Sequence, residues 1–151
     1  MVSKTTRDLL DQVRDFHKRL SDFYANRADI AKDQRAKMLL EYMSRHELNL
    51  EQCLEEYEDV GANEVLDTWF KFAPDIAEPE CLDGVELKDD MTVHDIIMTA
   101  ILFDNCLIEF FKEMAEKAVS EHLREFFDSL VQLENSEKLK MMRSALQIDQ
   151  I

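Results

Sequence analysis

A carboxylate stands in the middle of an otherwise apolar helical stripe. Read at a period of 3.6 residues, Ile97, Ile101, Asp104, Ile108, Phe111, Met114 or Ala115, and Ala118 share one face. An isolated ionised group costs several kcal/mol to bury, so a chain that turns Asp104 towards a core must also supply its partner. The 151 residues include only two Gly and two Pro, few places for helices to stop, and no segment alternates apolar and polar residues for long. These features predict an all-α fold, and the length fits a single domain over 1–151 with room for a full core.

The formal net charge is −15, from 33 acidic and 18 basic residues. That balance argues against a nucleic-acid partner, because neutralising phosphates takes clustered Lys and Arg. An acidic field attracts cations and keeps helical surfaces solvated. Cys53, Cys81 and Cys106 form no Cys-x-x-Cys pair, so they predict neither a disulfide framework nor a zinc knuckle; Cys53 and Cys106 lie among apolar residues and read as small core side chains. The first residues have no apolar signal region, and no stretch is long enough to span a membrane, which makes a reducing, cytoplasmic setting the expectation.

Four long helices follow from the periodicity. The first starts near Ser3–Thr6 and carries Leu9/Leu10, Val13, Phe16/His17, Leu20 and Phe23/Tyr24, fading around Asn26–Asp33. The second carries Leu39, Tyr42/Met43, His46, Leu50, Cys53/Leu54 and Tyr57, with Gly61 as its C-cap. Residues 62–91 break the pattern. A short helix fits Asn63–Phe72, Trp69, Phe70 and Phe72 form a bulky patch, and Pro74, Pro79 and Gly84 forbid a long helix. A connection of this length suits a crossover along a bundle between helix pairs at about 4–61 and 92–148. Its aromatics are expected to cover the bundle, with a homodimer contact through the Trp69–Phe72 region or through helix faces as the functional alternative. Thr92 with Asp95 reads as a capping box opening the third helix at Val93. The fourth, from Ser120 or Glu121, carries Leu123, Phe126/Phe127, Leu130, Leu133/Glu134, Glu137, Met141, Ala145 and Ile148.

The two halves repeat. His17–Tyr24 matches Asp104–Phe111 at a separation of 87 residues, and Leu39, Met43 and His46 match Leu130, Glu134 and Glu137 at a separation of 91. His17 is thereby paired with Asp104, Met43 with Glu134, and His46 with Glu137. These are the residues that interrupt or flank the apolar stripes.

Two αα hairpins joined by a long crossover resemble the ferritin-like superfamily, in particular its rubrerythrin-like branch. In that family the first helix of each hairpin has a Glu seven residues before an aromatic, and the second has Glu-x-x-His. The segment Ala100–Ala115 is similar to the family's third helix, and Phe127-x-x-Leu130-x-x-x-Glu134-x-x-Glu137 to its fourth. The resemblance implies a ferritin-like four-helix bundle with a metal centre in its core. His46 and Glu134 keep the family's residue type; His17 and Asp104 stand for Glu, Glu137 for His, and Met43 for a bridging Glu. The rubredoxin-type Cys-x-x-Cys pairs are absent.

On that reading His17, His46, Asp104, Glu134 and Glu137 form a non-standard centre. His17, His46 and Glu134 have the composition of a two-His, one-carboxylate triad suited to Fe or Mn and to redox chemistry with O₂ or peroxide. The three carboxylates would supply a second, oxygen-rich half. The alternative is a metal-free bundle acting as a structural or protein-interaction module, in which His17 pairs with Asp104 or Glu134 and His46 with Glu137. Haemerythrin-like chemistry is disfavoured because His94 and His122, the other two of four His, lie at helix starts. His46-Glu47-x-x-Leu50 lacks the second His of the zinc-protease motif.

Overall fold

A computed structural model describes residues 2–73 and 88–151. The elements run β1 (Val2–Thr5), α1 (Thr6–Ile30), α2 (Gln34–Val60), α3 (Asn63–Leu66), β2 (Trp69–Ala73), α4 (Val93–Glu116) and α5 (Glu121–Asp149). α1 packs along α2 and α4 along α5, and α2 also meets both α4 and α5. The result is a bundle of two helical hairpins. Pro74, Pro79, Cys81 and Gly84, which shaped the expectation for the crossover, lie outside the described residues.

Helix starts follow local chemistry. Thr5 and Thr92 each close a capping box: the Thr hydroxyl accepts from the backbone N–H of Asp8 or Asp95, and that Asp accepts from the Thr N–H in return, all at 3.1 Å. Asp33 and Ser120 cap α2 and α5 through single bonds from Ala36 and Leu123. Gly61 caps α2, but at φ −66°, so the left-handed conformation usual for a capping glycine is not what requires it. Space is the better reason: a Cβ there would meet Tyr57 O at 3.0 Å and the Leu66 side chain at 3.1 Å.

One feature departs from the all-helical expectation. β1 and β2 pair antiparallel, Thr5 opposite Trp69 and Lys4 opposite Phe70, with an irregularity between Val2 and Lys4. This ribbon ties the start of α1 to the segment after α3, and it splits the aromatic patch by the alternation of a strand. Phe70 is buried, its ring 5.7 Å from that of Phe127 on α5, whereas Trp69 is 64% exposed.

Cross-helix polar contacts set the register of each hairpin. Ser21 and Ser44 exchange hydroxyl-to-carbonyl bonds, both 2.9 Å, which hold α1 close to α2. Arg14 reaches Glu51 and Glu58 at 3.0 and 3.2 Å along the same seam. Between α4 and α5, Lys138 donates to Asn105 at 3.0 Å. Aromatic rings fill the core around these seams: Phe103 of α4 packs edge-on against Phe16 and Phe23 of α1, and Phe111 packs against Phe127. Cys53 is a free thiol, half-buried. Cys106 is buried and disulfide-bonded, which corrects its reading as a simple core thiol.

Candidate functional site

The seams deliver four ionisable side chains to one place, one from each long helix. His17 lies one helical turn before Ser21, and Glu47 three residues after Ser44, so the serine pair sets them opposite each other. Asp104 adjoins Asn105, and Glu134 lies one turn before Lys138, so the amide–ammonium contact does the same for the second hairpin. All four are buried: His17 at 0% exposure, Glu134 at 1%, Glu47 at 3% and Asp104 at 4%.

His17 is the hub. Its Nδ1 lies 2.5 Å from Glu47 Oε2 and its Nε2 3.0 Å from Glu134 Oε1, so each ring nitrogen is in hydrogen-bond contact with a carboxyl group. An imidazole can donate from both nitrogens only as the imidazolium. Burial opposes that charge, but Glu134 and Glu47, through their charges and hydrogen bonds, hold the His17 pKa well above its usual 6.5. Asp104 goes the other way in charge. Burial first, then the neighbouring Glu47 and Glu134, push its carboxyl from 3.8 up to about 8, against the opposing influence of His17 and Lys138. The two shifts act together: His17 is favoured as its charged form and Asp104 as its neutral one. Two oxygens there lack partners: Glu134 Oε2 and the hydroxyl of Tyr24, both buried. Tyr24 follows His17 by two turns on α1, and burial, followed by the charges of Glu47 and Asp104, raises its pKa well above 10.

Of the five residues the sequence nominated, the structure brings together His17, Asp104 and Glu134. His46 stands on a different part of α2. Its ring stacks on Tyr42, 5.8 Å between centroids, its Nε2 is buried without a partner, and it borders a surface groove with Tyr42, Arg45, Leu48, Asn49 and Gln52. Glu137 is half-buried and pairs with Lys140 at 3.1 Å. The expected His17–Glu134 pair is present, whereas no His46–Glu137 pair occurs among the described contacts. Met43 is a core residue at 1% exposure.

Glu47 is the member that sequence reasoning missed. A better-registered repeat reveals it, because 87 residues separate Glu47 from Glu134, as they separate His17 from Asp104. The separation of 91 expected for the second helices is longer by four residues, about one helical turn. Residues i and i+4 share a face, so the apolar stripe looks the same in either register. In the register of 87, Glu47 takes the place of Met43 opposite Glu134, and Leu50, buried and apolar, takes that of His46 opposite Glu137.

No family model and no curated protein matches the sequence. Among solved structures, the chain is similar to a Thermotoga maritima protein regarded as a ferritin-like diiron-carboxylate protein. The TM-score is 0.60 over 96% of this chain and 97% of that one, at 13% identity. The fold is a ferritin-like bundle. At that identity the likeness establishes architecture alone.

Whether this bundle's residues suit a metal is decided by their donor chemistry. A ligating His must present a lone pair to the ion, and both nitrogens of His17 are already engaged by carboxyl groups. Leu50 supplies no donor, and Glu137 is engaged by Lys140. Among the described residues, no three His, Cys, Asp or Glu side chains converge so as to hold a metal ion. The set does not fit a two-metal carboxylate centre as it stands.

The unpartnered Tyr24 hydroxyl gives a direct test of how dry the cluster is. A buried hydroxyl without a partner is worth about 1–3 kcal/mol of desolvation. Tyr24→Phe is accordingly expected to leave stability unchanged or raise it, by up to about 1 kcal/mol in urea unfolding. A loss larger than that would mean the hydroxyl is hydrogen-bonded in solution.

Proposed function

We propose that this ferritin-like bundle works as a structural or protein-interaction module, with its central cluster closed by a buried imidazolium instead of by metal ions. The observation that carries the reading is the engagement of both His17 nitrogens by carboxylates from two other helices. That arrangement offsets buried negative charge within the chain and joins α1, α2 and α5 around one ring. The exposed Trp69 on β2, held against the bundle by its buried neighbour Phe70, supports a contact role for that end of the molecule, including a homodimer. Among the described residues no helix is long and apolar enough to cross a membrane.

A second reading has its own support. Glu134 Oε2 and the Tyr24 hydroxyl are unpartnered oxygens beside three carboxyl groups, an oxygen-rich set of the kind that suits Fe or Mn. On this reading one such ion would be held by Glu47, Asp104 and Glu134 once His17 gave up a proton, and it would supply redox chemistry to a bundle of the rubrerythrin-like kind.

One preparation separates the two. The protein, made without a histidine tag, is analysed for iron, manganese and zinc per chain, and its thermal unfolding is followed with and without anaerobic Fe(II) or Mn(II). Substoichiometric metal and an unchanged melting temperature are expected. Stoichiometric metal that disappears in Glu134→Ala would overturn the metal-free reading. Light scattering of the same sample, compared with Trp69→Ala, reads the dimer contact.

A further inference from the structure

We propose that the outer face of the α4–α5 hairpin, around Met98, Ile101, Leu139, Met142 and Leu146, docks the same face of a second copy of this chain. The proposal rests on the interaction-module reading above and gives that module its partner, at a place remote from Trp69.

The two helices lose their acids where they form this face. The chain carries 33 acidic residues, yet residues 96–108 include one, the buried Asp104, and residues 138–148 none. The Asn105–Lys138 contact fixes how the antiparallel helices line up. One turn before Asn105 stands Ile101 and one turn after Lys138 stands Met142, both half-buried. A further turn along each helix come Met98 and Leu146, 47% and 56% exposed, and Leu139, next to Lys138, is 51% exposed. Together they make one apolar strip across the hairpin. Asn135 and Arg143 stand one turn to either side of Leu139. Lys138 and Lys140 are engaged within the chain, by Asn105 and Glu137.

Charge selects what covers the strip. With a net charge of −15, two copies repel wherever their acidic surfaces approach. Meeting through this face sets no exposed carboxylate of the strip against another. Loss of Asp and Glu with retention of Met and Arg is also the composition of an interface centre. A charged partner finds little here to hold, because the two lysines are already engaged. Three turns of each helix by two helix widths give a footprint on the order of 300–400 Å². That is about half of the roughly 800 Å² per partner of a standard interface, so a weak, reversible dimer is expected. The strip is separate from the ribbon end of the molecule. Phe127, where Phe70 packs, lies twelve residues before Leu139, about 18 Å along α5.

The test is sedimentation of the full-length protein over a range of concentrations. A reversible monomer–dimer equilibrium is expected, with a Kd on the order of 10–100 μM. Added NaCl should tighten it, since screening removes the repulsion between two acidic molecules and spares the apolar contact. Leu146→Glu puts an unpaired carboxylate on both sides of the contact and should weaken the dimer at least about 100-fold. The same change at Leu48, exposed on α2, adds equal charge elsewhere and should leave association unchanged, as should Trp69→Ala. Helical circular dichroism checks that each variant is folded, and Leu139→Gln replaces Leu146→Glu if that variant is not. A protein that stays monomeric at every concentration overturns this inference and leaves the metal-free bundle standing. A dimer dissolved by Trp69→Ala but not by Leu146→Glu also overturns it, and places the contact at the ribbon end. Species that grow past the dimer and dissociate in salt overturn it as well, because they would join this face to an acidic one.

Discussion

Replacing His17 by Gln is expected to cost about 3–5 kcal/mol of folding stability, read as a lower urea midpoint at neutral pH. Glutamine keeps a donor that can reach one carboxylate but carries no charge. Glu47 and Glu134, at 3% and 1% exposure, would then share a buried site without a counter-ion. The variant would have to protonate one glutamate or open the bundle to water, and both routes cost stability. The loss should belong to the network and not to packing around the ring. His17→Leu combined with Glu47→Gln and Glu134→Gln removes cation and anions together and should recover most of the stability, since an ion cluster replaced as a whole by neutral groups is often tolerated. The measurement that decides is the interaction between the changes: if the losses from His17→Gln and Glu134→Gln simply add, the two residues do not form one unit.

The second large effect is a pH profile. The Asp104 carboxyl is pushed from 3.8 to about 8 in the folded chain, by burial and by Glu47 and Glu134. Between those two values the folded state keeps a proton that the unfolded state releases, so stability falls as pH rises across that window and the loss is complete above about pH 8. His17 works in the same direction. Its folded pKa is raised, so the stability it contributes is fully present below 6.5 and is lost as pH climbs through the higher folded value. The wild type should therefore weaken on the alkaline side. Ionising Asp104 in place costs at most about 6 kcal/mol, a ceiling that water entry will reduce. Asp104→Asn should flatten the profile below pH 8 and be the more stable protein at about pH 8.5, by about 2 kcal/mol. Parallel profiles for the two proteins between about pH 5 and pH 8 would show that Asp104 titrates normally.

Both predictions concern a cluster that was half legible beforehand. Asp104 was visible because it interrupts a stripe of Ile, Phe and Met, and His17 and Glu134 because they interrupt or flank similar stripes. Glu47 was not. It follows His46 directly, in a helix rich in Glu, and a carboxylate in such a setting reads as solvated surface. His46 took its place in the reading because a histidine on an apolar face attracts attention and because Met43 and His46 fit the spacing of a familiar motif. The structure shows instead that the Ser21–Ser44 seam sets α2 so that Glu47 meets His17, while His46 turns to stack on Tyr42. The small ribbon of β1 and β2 was equally hidden, since strands of four and five residues leave little alternation to detect.

By itself, then, the sequence determined that the chain is helical, where α1, α4 and α5 begin and α2 ends, and that polar residues on α1, α4 and α5 would have to be answered inside the core. Those are local properties: helical period, the chemistry of the caps and the cost of burying charge all operate within a few residues. Which acid on α2 answers His17 was decided only by the tertiary structure. Positions one turn apart share a face, so the apolar pattern of an isolated helix fits equally well after a slide of four residues, and the choice between Met43 with His46 and Glu47 with Leu50 falls to contacts between helices. In this protein reciprocal serine bonds make that choice, and they place a carboxylate, not a second histidine, against the buried ring of His17.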